Sequence, residues 1–284
     1  MNIGEILNKA YDILKQQNIE TYILDSQLLL CKVLQKDKLF LILNRDMEVN
    51  DKQISMFLKY VNLRKDKMPI KYILGECEFM GLNFFVKKGV LIPRPDTEIL
   101  VEQMLKTIKK GNYKNVCDVC CGSGAIGISL AKLADDVKVV CSDIAEEARE
   151  VTLENIKRLD ISSNVKFVQS DLLQFAIEKG NRFDIIVSNP PYIEENVIDT
   201  LMKDVKDYEP YIALCGGKDG LDFYRKITFE SVKVLNDDGI LAFEIGYNQK
   251  EKVKNILKNN GFSHIRCIKD LAGLDRVIIG KIIL

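Results

Sequence analysis

Asn115-Val116-Cys117-Asp118-Val119-Cys120-Cys121-Gly122-Ser123-Gly124-Ala125-Ile126-Gly127 runs from a short β-rich segment, through closely spaced glycines, into an apolar helical stretch. Glycines at a strand-to-helix turn permit a tight bend and let a ligand approach bare backbone at a helix N-terminus. The next strand ends on Asp143, nineteen positions after Gly124, where a carboxylate can accept hydrogen bonds from both hydroxyls of a ribose. Strand, glycine turn, helix and strand-end acid in this order are far more specific than glycines alone. Gly122, Gly124 and Gly127 also spell G-x-G-x-x-G, so a nicotinamide dinucleotide is one ligand to weigh.

Outward from this turn, short β-rich runs at 115–119, 137–141, 165–169, 183–188 and 239–245 alternate with helical stretches. That alternation predicts a parallel sheet covered by helices. Two last runs, around His264-Ile265-Arg266-Cys267-Ile268 and Val277-Ile278-Ile279, lack room between them for a crossover helix. They should pair antiparallel and bring the sheet to seven strands. Upstream, Pro93-Arg94-Pro95 forces extended backbone, after which Asp96 or Thr97 can cap a helix. Tyr72-Ile73-Leu74 and Phe84-Phe85-Val86, with Gly75 and Gly81 between them, predict a β-hairpin.

In the first segment Ile3, Ile6, Leu7, Ala10 and Leu14 recur at helical spacing, short helices are expected around residues 28–30 and 39–41, and Asn50 with Gln53 forms a capping box opening a longer helix. The predicted organisation is a helical domain at 1–67, a hairpin linker at 68–92 and an α/β domain at 93–284.

The charge balance, 41 basic against 41 acidic residues, supplies no global field that would draw the chain to nucleic acid or an anionic membrane. No apolar run approaches the ~20 residues of a membrane span, and the N-terminus reads as a helix instead of a signal peptide; a soluble, cytoplasmic protein is expected. The eight cysteines are scattered, several where an apolar strand residue belongs. Cys117 and Cys120 make a C-x-x-C without a second ligand pair, so no metal is expected. His264, the single histidine, opens a strand at the end of the sheet away from the expected crevice, which argues against a Ser-His-Asp hydrolase.

Asn189-Pro190-Pro191-Tyr192 follows the run Phe183-Asp184-Ile185-Ile186-Val187-Ser188. Ligands of open α/β sheets sit beyond the carboxyl ends of strands, so this turn and the glycine turn face one crevice if their strands are neighbours. The Asn189 side-chain oxygen and the Pro190 carbonyl are both acceptors, held by stiff backbone, and so suit the two hydrogens of a conjugated NH2 group. Tyr192 can lie against the flat face of such a substrate and exclude water.

The acidic-residue-then-glycine turn around Asp118 resembles that of class I S-adenosylmethionine-dependent methyltransferases, and Asp171 falls where that family meets the adenine amino group. The stretches Pro69 to Glu76, Gly89 to Glu98, Tyr208-Glu209-Pro210, Gly216 to Arg225, Phe243 to Tyr247 and Gly273 to Arg276 closely resemble the PrmC/HemK family. This resemblance implies a Rossmann-like seven-stranded methyltransferase sheet with its last strand antiparallel, joined to a helical domain that helps dock the substrate. It implies S-adenosylmethionine as cofactor, with S-adenosylhomocysteine as product, held by Cys120, Cys121, Gly122, Ser123, Gly124, Asp143, Asp171, Leu172 and Asn189. The family usually carries glycine where this chain has Cys120.

The resemblance further implies methylation of the glutamine amide in the Gly-Gly-Gln loop of class 1 peptide chain release factors, with Asn189, Pro190 and Tyr192 catalytic and Pro191 beside them in the substrate site. Adenine methylation of DNA or RNA is the alternative that the same tetrapeptide admits. It lacks a separate basic recognition domain in this chain. A non-catalytic docking module is disfavoured by the intact tetrapeptide.

Overall fold

The computed structural model describes residues 1–283, which separate into two compact units, Met1–Glu76 with Met202–Tyr208, and Cys77–Leu201 with 209–283.

The first unit is helical: α1 Ile3–Lys15, α2 Tyr22–Leu34, α3 Lys38–Leu43, α4 Asp51–Lys65 and α5 Ile70–Leu74. Ile3, Ile6, Leu7, Ala10 and Leu14 are all buried along one stripe of α1, against Leu29, Leu30, Phe57 and Val61. The capping box at Asn50 forms in both directions, Gln53 N donating to Asn50 Oδ1 and Asn50 N to Gln53 Oε1. Arg64 and Asp25 form a buried ion pair at 2.7 Å, and Arg64 also donates to Met68 O.

One expectation is corrected here. Tyr72-Ile73-Leu74 is helical, and the first hairpin strand lies just beyond it. Pro69 fixes the entry to α5, and Gly75, at φ 74, closes it in the left-handed conformation that glycine adopts without penalty. The hairpin is β1 Glu76–Phe79 and β2 Leu82–Phe85, joined through Met80 and Gly81, both at positive φ.

The second unit continues with α6 Glu98–Gly111, β3 Asn115–Val119, α7 Ala125–Leu133, β4 Lys138–Asp143, α8 Glu146–Arg158, β5 Val165–Gln169, α9 Gln174–Lys179 and β6 Phe183–Ser188. The one-turn helices α10 Glu195–Ile198, α11 Lys203–Lys206 (part of the first unit) and α12 Tyr211–Leu214 precede α13 Asp222–Val234, β7 Leu235–Glu244, α14 Lys250–Asn259, β8 Phe262–Lys269 and β9 Asp275–Ile282.

The seven-stranded sheet has the order β5-β4-β3-β6-β7-β9-β8. Strands β3 to β7 pair in parallel, and β9, last in the chain, runs antiparallel to both β7 and β8. Strand alternation sends successive residues to opposite faces. Val116, Ile185, Val187, Ala242 and Ile279 pack with Leu100 and Ile128 from α6 and α7. Cys117, Val119, Ile186, Leu241, Phe243 and Ile278 pack with Phe175, Tyr224, Ile227 and Val253 from α9, α13 and α14.

Strand β7 starts earlier than the expected 239, because Leu235 pairs with Phe183 ahead of a register shift and Asn236 Nδ2 donates to Asp184 Oδ1 at 2.7 Å. No helix among the described residues is long and apolar enough to cross a membrane.

Candidate active site

Strands β3 and β6 are hydrogen-bonded neighbours, with Val119 opposite Ser188. Their carboxyl ends are therefore level, and the next residues, Cys120 and Asn189, enter one crevice. A cavity of about 190 Å³ there is lined by Cys120, Gly122, Asp143, Asp171, Leu172, Asn189 and Pro191, with Val90, Phe223 and Lys226 among the other walls. A smaller adjoining cavity of about 50 Å³ is lined by Cys120, Cys121, Gly122, Ser123, Asn189, Arg94 and Thr97. Of the residues assigned from sequence to the cofactor and substrate sites, Gly124, Pro190 and Tyr192 line neither cavity.

Gly124 sits at φ 75, and a Cβ there would come within 2.8 Å of Ile128 Cδ1 and 3.0 Å of Thr152 Cγ2. Its role is thus to let α7 pack on α8. Gly124→Ala should keep the fold but lose about 1–3 kcal/mol, read as a lowered thermal unfolding midpoint. Cys120 is also in the left-handed region, at φ 58, which costs a non-glycine residue about 1–2 kcal/mol. That conformation is the physical reason a glycine belongs at this position. The thiol lines both cavities, and burial pushes its pKa well up, so it stays neutral.

Backbone N–H groups in and beside the turn are committed to carboxylates. Gly122 N donates to Asp143 Oδ2 at 2.9 Å, Ala145 N donates to Asp143 Oδ1 at 3.0 Å, and Gly127 N donates to Asp118 Oδ2 at 2.8 Å. A pyrophosphate bound as in dinucleotide enzymes needs such N–H groups free and positive. Here carboxylates occupy those of Gly122 and Gly127, and Asp143 and Asp171 put negative charge on walls that also include Lys226. Such a site suits a cationic nucleoside better than a dinucleotide. Ser142 Oγ donates to Leu172 O, tying the end of β4 to the loop that carries Asp171.

Asp118 is fully buried, its Oδ1 has no hydrogen-bond partner among the described residues, and burial raises its pKa from 3.8 to about 7. Between those values the unfolded chain has released this proton while the folded chain keeps it, so the group makes stability fall as pH rises through that window. Asp118→Asn should flatten that fall, measured by urea unfolding at a series of pH values.

The tetrapeptide is anchored from behind. Asn189 Nδ2 donates to Thr97 Oγ1 at 3.3 Å, and the Thr97 hydroxyl donates to Glu244 Oε2 at 2.5 Å. Asn189 also helps hold the Glu244 carboxyl in its ionised form. Thr97 was expected as a helix cap, and neither it nor Asp96 caps α6 through its side chain; the hydroxyl is committed to Glu244.

Gln249, buried, joins three loops: its Nε2 donates to Tyr192 O and Gly220 O, while its Oε1 accepts from Gly246 N and the Tyr224 hydroxyl. Tyr192 is half-buried against the core beneath β6, and burial, then Glu244, raises its phenol to about 12. The sequence offered Thr97 only as a helix cap, gave Glu244 no role within its quoted stretch, and did not single out Gln249. The available signal was a carboxylate closing the apolar run Leu241-Ala242-Phe243.

His264 is exposed on β8, outside both cavities.

A family model described as the PrmC N-terminal domain matches residues 5–75, and one described as the Methyltransferase small domain matches residues 94–205. A release factor glutamine methyltransferase of Clostridium acetobutylicum is 56% identical over 279 residues, covering 98% of each chain, and one of Clostridium botulinum is 55% identical, again covering 98% of each. A solved methyltransferase structure from Pyrococcus furiosus shares the fold at 21% identity, with a TM-score of 0.52 over 72% of this chain and 91% of that one. Identity of this level from end to end takes in both units together with the cavity and the tetrapeptide beside it. The chain belongs to the release factor glutamine methyltransferase family.

Proposed function

We infer that the chain methylates the side-chain amide nitrogen of the glutamine in the Gly-Gly-Gln loop of class 1 peptide chain release factors. The observation that carries this reading is the meeting of Asn189 with the glycine turn and Asp143 around one cavity, in a chain 56% identical over nearly its whole length to a relative bearing that activity in its name.

S-adenosylmethionine, when bound, would supply an electrophilic methyl group and leave as S-adenosylhomocysteine, with one amide proton released by way of Asn189 or water. Asp143 would hold the ribose hydroxyls, Asp171 the adenine amino group, and Leu172 with Cys120 to Ser123 the remaining walls. The Asn189 side-chain oxygen and the Pro190 carbonyl each accept one amide hydrogen of the substrate. An amide nitrogen is a poor nucleophile because its lone pair is delocalised, and fixing both hydrogens turns the lone pair toward the methyl group. These acceptors bind the increasingly acidic NH2 more tightly as its nitrogen gains charge, which favours the transition state over the ground state. Tyr192, fixed through its carbonyl by Gln249, bounds the substrate side and keeps out water.

Incubating a class 1 release factor with the chain and S-adenosylmethionine should add one methyl mass to the peptide holding the Gly-Gly-Gln loop. A peptide map in which that peptide gains nothing would remove the substrate assignment.

A further inference from the structure

The oxygen and nitrogen ends of an asparagine amide are nearly identical in shape, so sterics alone do not choose which end faces a ligand. For an NH2 substrate the choice is decisive: the oxygen accepts, whereas the nitrogen would set two donors against two donors. Behind Asn189 the structure supplies two buried oxygens. Thr97, 5% exposed, offers its Oγ1, and Glu244, 2% exposed, offers its carboxylate. Asn189 Nδ2 donates to Thr97 Oγ1 at 3.3 Å, and the Thr97 hydroxyl spends its single hydrogen on Glu244 Oε2 at 2.5 Å. With its hydrogen committed there, Thr97 can only accept from Asn189. The NH2 end of the amide is thereby drawn toward Thr97, which does not line the larger cavity.

We propose that Thr97 and Glu244 are positioning residues for the methyl transfer, fixing the Asn189 amide with its oxygen toward the substrate nitrogen. The proposal rests on the amide-transfer reading above and adds to it the device that orients its central acceptor. A carboxylate at the end of a strand is a costly group to bury, and its burial here follows from this orienting role, because an ionised carboxylate accepts and never donates.

Protonation reverses the arrangement. A neutral Glu244 carboxyl can donate to Thr97 Oγ1, which frees the threonine hydrogen to point at Asn189 and favours the flipped amide. The groups facing Glu244 are Arg276 on β9, Asp96 ahead of α6, Tyr192 after β6 and Tyr224 on α13; Arg276 favours the ionised form, and Asp96 opposes it. Burial brings the Glu244 titration to about 7, so the orienting state gains population as pH rises through neutrality.

The test compares wild type, Thr97→Val, Thr97→Ser and Glu244→Gln in steady-state methylation of a release factor across pH 6 to about 9. Calorimetric S-adenosylhomocysteine binding and thermal unfolding are measured on the same samples. Thr97→Val, nearly isosteric but without the hydroxyl, should lower kcat at least about tenfold at nearly constant KM while still binding S-adenosylhomocysteine, and Thr97→Ser should recover most of that loss. Wild-type kcat should climb through about pH 7, and Glu244→Gln should be slow and lack that limb.

A Thr97→Val kcat within twofold of wild type, or a Glu244→Gln profile with the same limb, overturns the positioning role and leaves the reaction assignment intact. A wild-type chain that transfers no methyl at all overturns both.

Discussion

Asn189→Ala should reduce kcat for methyl transfer by about 100- to 1,000-fold, the scale on which losing one preorganised hydrogen-bond partner of a developing charge is felt. The substitution removes an acceptor whose position is fixed by the end of β6 and by two anchors at 3.3 and 2.5 Å in series. It also leaves Thr97 Oγ1 without its amide donor, a stability loss of about 1–3 kcal/mol that thermal unfolding would record separately. Affinity for S-adenosylhomocysteine should change less than about tenfold, because Asp143 and Asp171, the proposed ribose and adenine partners, lie on β4 and after β5. A kcat within a few-fold of wild type would mean that Asn189 does not touch the reacting nitrogen.

Asp143→Ala should weaken cofactor binding by about 100-fold, equivalent to about 2.7 kcal/mol, with the fold retained. Two losses add. The ribose loses its acceptor, and Gly122 N and Ala145 N lose the carboxylate that holds the glycine turn to the end of β4. Unchanged calorimetric affinity would show that the ribose lies elsewhere. Asp143→Asn keeps one acceptor oxygen for the turn but not both, so its affinity should fall between those of wild type and Asp143→Ala.

The sheet was legible from sequence where local signals agreed. Val165–Gln169 and Phe183–Ser188 were bounded to the residue, since each is a compact apolar run ended by polar or turn-forming residues. The Tyr72-Ile73-Leu74 run was misread because three apolar residues carry no period. The bracketing Pro69 and Gly75, which enclose a single helical turn, held the better signal. The neighbouring placement of β3 and β6 could be argued only from general sheet topology, because no local residue pattern encodes strand order.

The candidate site divides in the same way. The glycine turn, Asp143 and the Asn189 tetrapeptide announce themselves by residue type and spacing. Thr97 and Glu244 act through partners 92 and 147 positions apart in the chain, and Gln249 reaches back 57 positions to the Tyr192 carbonyl. Long-range side-chain pairing of this kind leaves no periodicity to read. The tight conformation at Cys120 is likewise invisible in the letters, although the departure from glycine marks the position where it occurs.

The most direct measurement is a crystal structure of the chain with S-adenosylhomocysteine and a release factor. Amide transfer at this site predicts the glutamine side-chain nitrogen about 3 Å from both the Asn189 oxygen and the Pro190 carbonyl, on the side facing the sulfur. A glutamine amide bound outside the cavity edged by Asn189 and Pro191, or one met there by the Asn189 nitrogen, would contradict it.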